Sequence, residues 1–356
     1  MRIVHITFGF GLGGIETMLT NIANEQIKLD HDISIIIIND IINENLRRSL
    51  NPRVRFVCLE RKVGSKSVAP VIKLNLLLYR LKPDIIHLHY ASIAKYLFFP
   101  SVQRRICVTM HDVCSKNNSR YLYKSRRIYA ISNVVKKDIL EFKGLYSEVV
   151  LNGIKPELIN HVSKERDGHF RIVQVGRLAH LKKGQHILIQ AVAQLVKQGY
   201  DNLELSLIGD GDSREYLENL VKDLGIKNHV LFLGAREQLY IFAHLHDYDL
   251  FVQPSIFEGF GLTVTEAMAA KVPVLVSENQ GPLEIIDNGN YGYYFKNQDV
   301  DDCADKIELF INHKNDVEQI EKAYQRVTEL YNVKTTAINY LNKYREFIDS
   351  GYVKLR

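Results

Sequence analysis

The chain has few cysteines and no long apolar run, and both absences narrow the class of protein. Its 356 residues include only four cysteines, none in a C-x-x-C pair: Cys58, Cys107, Cys114 and Cys303. Scattered cysteines of this kind predict free thiols in a reducing compartment. No stretch approaches the roughly 20 apolar residues that cross a bilayer, and the start, MRIVHITFGF, lacks a signal-peptide pattern. We therefore expect a cytoplasmic protein.

Nucleic-acid-binding motifs are absent too, although the charge is uneven. We find no helix-turn-helix, zinc-finger or RNA-binding motif, so no nucleic-acid partner is expected. Residues 1–160 hold 24 Lys and Arg against 13 Asp and Glu, whereas the remainder is net negative. Seven cations and two tyrosines crowd one segment: Arg104, Arg105, Lys116, Arg120, Lys124, Arg126 and Arg127 with Tyr121 and Tyr123. Such a surface suits an anionic membrane, and an ordinary solvated basic face explains it equally well.

Apolar runs alternate with amphipathic stretches along the whole chain, and its length favours two domains. The first half has six candidate strands, at 3–7, 33–39, 54–59, 84–89, 105–110 and 128–132. The second half repeats the pattern from FRIVQVG (170–176) onward. Continuous β-branched runs separated by helices indicate parallel sheets covered on both faces. The sequence predicts two Rossmann-like, doubly wound α/β domains.

The domain boundaries are predicted from composition. The polar stretch SKERDGH (163–169) is typical of a linker. We expect an N-terminal domain over 1–162, a C-terminal domain over 163–332 and a final segment over 333–356. That segment begins with a helical pattern, from about Val333 to Asp349, which we expect to pack back on the first domain.

A glycine loop, FGFGLGGIE (8–16), follows the first strand. Gly9, Gly11 and Gly14 fit the dinucleotide pattern G-x-G-x-x-G, and Asp40 ends the second strand, where a ribose-binding acid is expected. Backbone N–H groups at a helix N-terminus bind any phosphate, however, so the loop alone does not distinguish NAD or FAD from another ligand.

The stretch PSIFEGFGLTVTEAMAA (254–270) carries the strongest signal. A strand, an EGFG loop and a helix place Glu258 and Glu266 in an E-x7-E spacing. Glycines in the loop let a ligand approach the backbone, and the amides of residues 260–262 suit a phosphate or sugar oxygen. A carboxylate at Glu266 can accept hydrogen bonds from two ribose hydroxyls.

A second strand-to-helix loop, VGRLAHLKKGQ (175–185), carries cations. The guanidinium of Arg177 suits phosphate oxygens, and Lys182 or Lys183 adds a compact charge, with Lys183 favoured because it precedes Gly184. Together these groups predict a diphosphate site.

These motifs in this order resemble the retaining glycosyltransferases of family 4. The resemblance rests on GLGGIE, VTMHD, ISNVVKKDIL, LNGI, VGRL…KKG, GDG and EGFGLTVTEAMAAKVPV, and it runs over nearly the whole chain. It implies the GT-B architecture, in which two Rossmann-like domains face across a cleft. The second domain holds a UDP- or GDP-sugar donor, and the first binds a saccharide or lipid-linked acceptor.

The resemblance also implies roles for individual residues. Arg177 and Lys183 would hold the donor diphosphate, and Glu266 the ribose. Glu258 would lie along the donor sugar, and His111 would contact that sugar near the reaction centre. The loop residues implied to line the donor are Gly259, Phe260, Gly261 and Leu262, with Gly13 and Gly14 closing over the diphosphate.

The expected reaction transfers a sugar with retention of anomeric configuration and needs neither metal nor cofactor, because fixed cations stabilise the leaving diphosphate. Asp210-Gly211-Asp212 fits the D-x-D pattern of a metal site. It follows a strand, however, and the matching GDG residues of relatives form a turn. His87 and His89, with His111 and Asp112, raise the alternative of a metal cluster. Surface polysaccharide, lipopolysaccharide or capsule assembly is the expected setting.

Two other functions stay open from the sequence. A catalytically silent nucleotide-sugar-binding partner would retain the donor residues, and a dinucleotide oxidoreductase would use the first glycine loop. The chain also departs from the family pattern: Lys271 stands where many relatives have glycine, and Asn279-Gln280-Gly281-Pro282 replaces the usual pair of glycines.

Overall fold

The computed structural model describes residues 1–11, 13–162, 167–278, 281–312 and 316–352. The chain forms two compact units. The first unit consists of Met1–Gly153 together with Val333–Arg356, and the second unit of Ile154–Asn332.

Within the described residues the first unit has a seven-stranded sheet and the second a six-stranded sheet, and all recorded strand pairings are parallel. The strands of the first unit are β1 (Arg2–Thr7), β2 (Asp32–Asn39), β3 (Arg55–Arg61), β4 (Ile85–Leu88), β5 (Ile106–Met110), β6 (Arg127–Ala130) and β7 (Glu148–Val149). Those of the second are β8 (Phe170–Val175), β9 (Leu203–Ile208), β10 (Val230–Gly234), β11 (Leu250–Gln253), β12 (Val274–Ser277) and β13 (Tyr293–Phe295).

Helices connect these strands. In the first unit they are α1 (Gly14–Lys28), α2 (Glu44–Arg48), α3 (Ala69–Leu81), α4 (Pro100–Gln103) and α5 (Asn133–Lys143). In the second unit they are α6 (His180–Lys183), α7 (Gln185–Lys197), α8 (Arg214–Asp223), α9 (Gln238–His244), α10 (Leu262–Ala269), α11 (Gly281–Ile285), α12 (Val300–Asn312) and α13 (Val317–Leu330). The last helix, α14 (Val333–Phe347), returns to the first unit.

The strand order explains where each unit is suited to bind a ligand. The first sheet has the order β3-β2-β1-β4-β5-β6-β7 and the second β10-β9-β8-β11-β12-β13. The order reverses between β1 and β4 in the first unit and between β8 and β11 in the second. Loops leave the carboxyl ends of such neighbouring strands in opposite directions and open a crevice, which is where open α/β sheets bind ligands.

The sheets lie in apolar cores, as their sequences predict. Every residue of β2 after Asp32 is buried, in keeping with a parallel strand covered on both faces. In the second unit the buried cluster runs from Phe170 to Phe310 and includes the inward residues of α7 and α12. The predicted α/β architecture is confirmed in both units.

The division of the chain differs from the predicted boundary at residue 162. Residues 154–162 group with the second unit. The Ile154 N–H donates to the Tyr331 carbonyl (2.7 Å), and the Asn160 N–H donates to the Phe242 carbonyl (3.0 Å). These main-chain bonds tie the segment to the second unit, which composition alone does not reveal. Residues 163–166 of the predicted linker lie outside the described residues.

Helix α14 packs against α1 of the first unit. Its inward face buries Val333, Ala337, Tyr340, Leu341, Tyr344 and Phe347. Two of these side chains also make polar contacts inside the unit: the Tyr340 hydroxyl lies 2.9 Å from Thr109 Oγ1, and the Tyr344 hydroxyl 2.5 Å from His87 Nδ1. The far end of the sequence is therefore part of the first unit's core.

Candidate active site

The switch point of the second unit brings two predicted loops together. Arg177 and Lys183 follow β8, and Glu258 follows β11, and these two strands are neighbours in the sheet. The N–H groups of Ile256 and Phe257 donate to the Lys182 carbonyl at 2.9 and 3.1 Å. The loop after β11 is thus fixed directly against the loop after β8.

Lys183 and Glu258 form an ion pair at this point. The Lys183 ammonium donates to Glu258 Oε2, and both side chains are largely buried, at 20% and 15% exposed. Gln253 Nε2 lies 3.3 Å from the same carboxylate oxygen, and the Ser255 hydroxyl 3.5 Å from it. An ammonium has three donors, so Lys183 can bind a second anion while it keeps Glu258.

Gly184 lets the two loops approach so closely. Its φ is +66°, and a Cβ placed there would lie 1.8 Å from the Pro254 carbonyl oxygen. No side chain fits in that space. The position of Lys183 relative to Glu258 therefore depends on a glycine directly after the lysine.

Helix α10 begins beside Glu258 with glycine rather than a capping side chain. Its N-cap is Gly261, with φ +105°, a residue that has no side chain to cap the first turn. The next loop is equally tight: a Cβ on Gly281 would lie 2.5 Å from the Gly259 carbonyl oxygen, and the Gly281 N–H donates to the Glu258 carbonyl (2.9 Å). An uncapped helix start with close glycine backbone suits an anionic oxygen. Asn279 and Gln280 lie outside the described residues.

Glu266 lies one turn into α10 and is 5% exposed. Gln238 Nε2 donates to its Oε1 at 3.2 Å. Burial raises the pKa of this carboxyl to about 7, and the hydrogen bond from Gln238 lowers it in part. The group is therefore poised between its neutral and ionised forms near neutral pH.

Arg177 is the most exposed of the charged residues that are predicted to hold the donor. Its guanidinium donates to Asp212 Oδ2 at 2.6 Å, with the two side chains 66% and 87% exposed. An ion pair this open is worth only about 0–1 kcal/mol, so a diphosphate can replace Asp212 at little cost. Asp210 instead accepts from the Gly211 N–H (2.8 Å). Each acid of the D-x-D pattern thus has its own local partner.

Lys271, the departure from the family's glycine, sits just after α10 with φ +57°. This left-handed conformation is one that glycine adopts without strain. The Lys271 ammonium pairs with Glu321 (2.6 Å) and lies 4.6 Å from the ring centre of Tyr324. These contacts with α13 offset part of the backbone strain.

The glycine loop of the first unit leads into α1, with Gly13 as N-cap and Gly14 as the first helical residue. Glu16 lies over this turn: a Cβ on Gly13 would be 2.6 Å from Glu16 Oε2. Burial raises the pKa of Glu16, partly countered by hydrogen bonds from its own backbone and from Tyr90. Glu16 is the last residue of the FGFGLGGIE motif, and no role was predicted for it.

His111 is the end of a chain of histidines. Its Nε2 lies 3.1 Å from His89 Nδ1, and His89 Nε2 lies 3.1 Å from His5 Nδ1. His5 Nε2 in turn lies 2.9 Å from the amide oxygen of Gln26. With that oxygen facing His5, each imidazole donates through Nε2, which leaves His111 Nδ1 as an acceptor. Burial lowers the pKa of both His5 and His111 to about 4, so both are neutral at pH 7.

His87 and His89, for which the sequence raised the alternative of a metal cluster, are interior residues. They are 0% and 3% exposed. Among the described residues the group with metal-ligand spacing is His5, His87 and His89, without His111 or Asp112. All six ring nitrogens of that group already have a polar partner within 3.1 Å. A hydrogen-bonded network explains the cluster fully.

The two predicted loops of the second unit lie side by side, and three further side chains contact their charged residues. Gln253, Gln238 and Asp212 contact Glu258, Glu266 and Arg177 respectively. Gln253 carried a weak signal, since it is a polar residue that ends an otherwise apolar strand. Gln238 and Asp212 come from other loops, and only the fold shows what they contact.

Two parallel α/β units in series, each with glycine-rich loops at its switch point, define a two-domain protein of the GT-B type. Comparison with known proteins gives the family. Residues 157–327 match the family described as glycosyl transferases group 1, and residues 12–158 match glycosyltransferase family 4. The chain belongs to the group 1 glycosyltransferases with the GT-B fold.

An individual relative is also described as a glycosyltransferase. The chain is 31% identical over 244 residues to the protein named uncharacterized glycosyltransferase MJ1607 of Methanocaldococcus jannaschii, an alignment that covers 63% of this chain and 60% of that relative. The alignment thus spans less than two thirds of the relative's length.

Solved structures share the fold. Anabaena Alr3699/HepE in complex with UDP-glucose has a TM-score of 0.80 at 20% identity, covering 98% of this chain and 100% of that one. The lipopolysaccharide outer core galactosyltransferase WaaB, in its apo form, has a TM-score of 0.73 at 20% identity, covering 96% of this chain and 100% of that one.

Proposed function

We propose that the protein is a retaining glycosyltransferase that moves a sugar from a UDP- or GDP-sugar to an acceptor hydroxyl. The observation that carries this proposal is the cluster at the second unit's switch point. There the Lys183–Glu258 pair lies beside the uncapped start of α10. A cation, a carboxylate and helix-terminal amides are the groups that a sugar diphosphate needs.

The leaving diphosphate gains negative charge as the sugar–phosphate bond lengthens. Lys183 keeps its ion pair with Glu258 and also donates a hydrogen bond to one phosphate oxygen. Arg177 gives up its ion pair with Asp212 and donates to another phosphate oxygen. The amides of Gly259, Phe260, Gly261 and Leu262 face the same charge. Such fixed donors stabilise a transition state because they need no reorganisation, and with them the reaction needs no metal or other cofactor.

The remaining assigned residues address the sugar nucleoside. Glu266 accepts hydrogen bonds from the ribose hydroxyls, and Glu258 lies along the donor sugar. His111, Gly13 and Gly14 of the first unit enter the proposal through the family resemblance. The neutral state of His111 supports its part, since a neutral imidazole can accept or donate a hydrogen bond at the sugar without adding charge.

The proposed setting is the assembly of a surface polysaccharide, lipopolysaccharide or capsule at the cytoplasmic face of a membrane. The acceptor is then a saccharide or a lipid-linked saccharide. Two solved relatives support this choice, one with UDP-glucose bound and one described as a lipopolysaccharide galactosyltransferase. The structure contains no helix, among the residues it describes, that is long and apolar enough to cross a membrane.

The test compares sugar transfer by the wild type and by Arg177→Ala and Glu258→Ala. Loss of one charge-stabilising contact is expected to slow transfer about 100- to 1000-fold. Arg171→Ala is the matched control, since Arg171 also pairs with an aspartate, Asp167, but at the opposite end of β8. Its rate should stay close to that of the wild type. Chelation with EDTA should leave all rates unchanged, and the product should keep the donor's anomeric configuration.

Two outcomes would reject the proposal. Equal transfer by all four proteins would remove the assigned site. Donor binding without turnover, with any acceptor tested, would instead identify a catalytically silent nucleotide-sugar-binding protein. Binding of NADH in a titration would instead indicate the alternative of a dinucleotide oxidoreductase.

A further inference from the structure

Helix α3 of the first unit exposes an apolar stripe that its own unit leaves uncovered. Val68, Ile72, Leu76 and Tyr79 are between 44% and 67% exposed. Their spacing of four, four and three residues places them on one side of the helix over three turns. The opposite side buries Leu74 and Leu78 in the core.

The stripe is held rigidly and is extended by a neighbouring loop. Asn75 donates to the Tyr96 carbonyl (2.7 Å) and accepts from the Phe98 N–H (3.1 Å). These bonds fix residues 96–98 against α3, where the Phe98 side chain is also exposed. The apolar surface therefore includes side chains from two elements, α3 and the loop at residues 96–98.

The segment that carries the stripe has charge of a single sign. Residues 61–83 contain six Lys and Arg and no Asp or Glu. Five of these cations are exposed, and within the described part of the chain no ion pair involves them: Lys62, Lys66, Lys73, Arg80 and Lys82. A second copy of this chain would bring like charges together across such a face, which opposes a symmetric dimer.

We propose that the α3 surface, made of Val68, Ile72, Leu76, Tyr79, Phe98 and the five exposed cations, docks the protein on an anionic lipid bilayer. A helix with one apolar face and flanking Lys and Arg lies in the headgroup region with that face inserted, and the cations meet the lipid phosphates. Tyr79 suits this position because its ring is apolar and its hydroxyl polar.

This surface differs from the basic segment that the sequence analysis singled out. Arg105 of that segment donates to the Pro83 carbonyl (2.5 Å), and Arg127 lies 3.8 Å from Glu148. Those two cations already serve the fold. The inference rests on the first unit alone and does not depend on the proposed transferase activity.

The chain contains no tryptophan, so a single introduced tryptophan reports insertion without background. The full-length variants Tyr79→Trp, Tyr123→Trp and Tyr146→Trp place the probe on α3, in the basic segment and near the end of α5. All three tyrosines are exposed. With phosphatidylcholine vesicles containing phosphatidylglycerol, only Tyr79→Trp should show a blue-shifted emission. Pure phosphatidylcholine should give a weaker response.

Co-sedimentation with the same vesicles tests the energetics. The double variant Ile72→Ser/Leu76→Ser should bind about tenfold or more weakly. Lys73→Gln/Arg80→Gln should bind the vesicles about 30-fold more weakly at low salt, because each cation contributes about 1 kcal/mol. Circular dichroism should match the wild type, because all four side chains are exposed. No donor or acceptor is present, so a failure here leaves the transferase proposal untouched.

Three results would overturn the inference. A blue shift in Tyr123→Trp but not in Tyr79→Trp would move the docking site to the basic segment. Unchanged binding by Ile72→Ser/Leu76→Ser would show that the stripe plays no part. A concentration-dependent dimer that this variant abolishes, without vesicle binding by the wild type, would assign the face to a second copy.

Discussion

At the scale of single residues, the second unit combines charged groups in different states of burial. Lys183 and Glu258 are largely buried and paired, whereas Arg177 pairs with Asp212 in the open. Glu266 has no cation partner in the described structure, and Gln238 is its recorded hydrogen-bond partner. A buried carboxyl without a cation favours its neutral form, which makes it the group most sensitive to pH.

We predict that affinity for the proposed nucleotide-sugar donor, with UDP-glucose as the probe, rises with pH through neutrality. Ribose hydroxyls donate to an ionised carboxylate, so binding must first deprotonate Glu266, whose pKa is about 7. Between pH 6 and 8 the affinity should rise about tenfold. The diphosphate of UDP-glucose has no proton to lose in this range. Isothermal titration in buffers of different ionisation enthalpy should detect proton release near pH 6.

Glu266→Gln is the control for that prediction. Its binding should be weaker and nearly independent of pH. A pH dependence that survives in Glu266→Gln would belong to another group.

At the scale of elements, the site depends on loops that touch through glycines. The sequence predicted the flanking elements well: the strand predicted over 33–39 lies in β2 (Asp32–Asn39), and the EGFG loop lies between β11 and α10 as expected. It did not assign α3, because apolar residues lie on both faces of that helix and blur its periodicity. Nor did it predict the close contact at Gly184, since the Pro254 carbonyl is 70 residues away along the chain.

We predict that Gly184→Ala is far more harmful than Gly144→Ala. The two glycines have nearly the same φ, +66° and +65°, so the backbone strain of about 1 kcal/mol is common to both. Only Gly184 adds a clash, with the Pro254 carbonyl, whereas a Cβ on Gly144 meets nothing within 4 Å. Overpacking adds about 1–3 kcal/mol.

Hydrogen exchange of the central strands of the affected unit measures these losses. Donor affinity should fall in Gly184→Ala alone, because the loop that carries Lys183 must move. Equal destabilisation by the two variants would mean that the loops separate without cost.

At the scale of the whole molecule, the first unit is assembled from both ends of the chain. Tyr340 and Tyr344 of α14 contact Thr109 and His87 deep in the sheet. The core of the first unit is therefore complete only once the second unit and α14 have been synthesised. The hydrogen-bonded chain that ends at His111 begins with His5 of the N-terminal strand, and His87, whose ring stacks on His89, contacts Tyr344 of α14.

We predict that deletion of residues 333–356 unfolds the first unit. It removes three buried aromatic side chains, Tyr340, Tyr344 and Phe347, each worth about 3–5 kcal/mol. Their sum, about 9–15 kcal/mol, is comparable with the whole stability of about 5–15 kcal/mol that is typical of a domain. Deletion of residues 348–356, which keeps α14 whole, is the control and should preserve the fold. Limited proteolysis and hydrogen exchange of β1 and β4 distinguish the two deletion variants. Strands that stay protected after deletion of residues 333–356 would contradict the prediction.

The sequence by itself determined the local features of this protein: two α/β domains, the strand-to-helix loops and the charged groups that those loops carry. These follow from apolar periodicity and from glycine and charge placed directly after strands, which are properties of neighbouring residues. Tertiary structure decided the rest, including the switch points, the boundary at Gly153, the partners of Arg177 and Glu266, and the exposed stripe on α3. Each of these depends on which distant segments lie side by side, and one sequence does not encode such pairings in any local pattern.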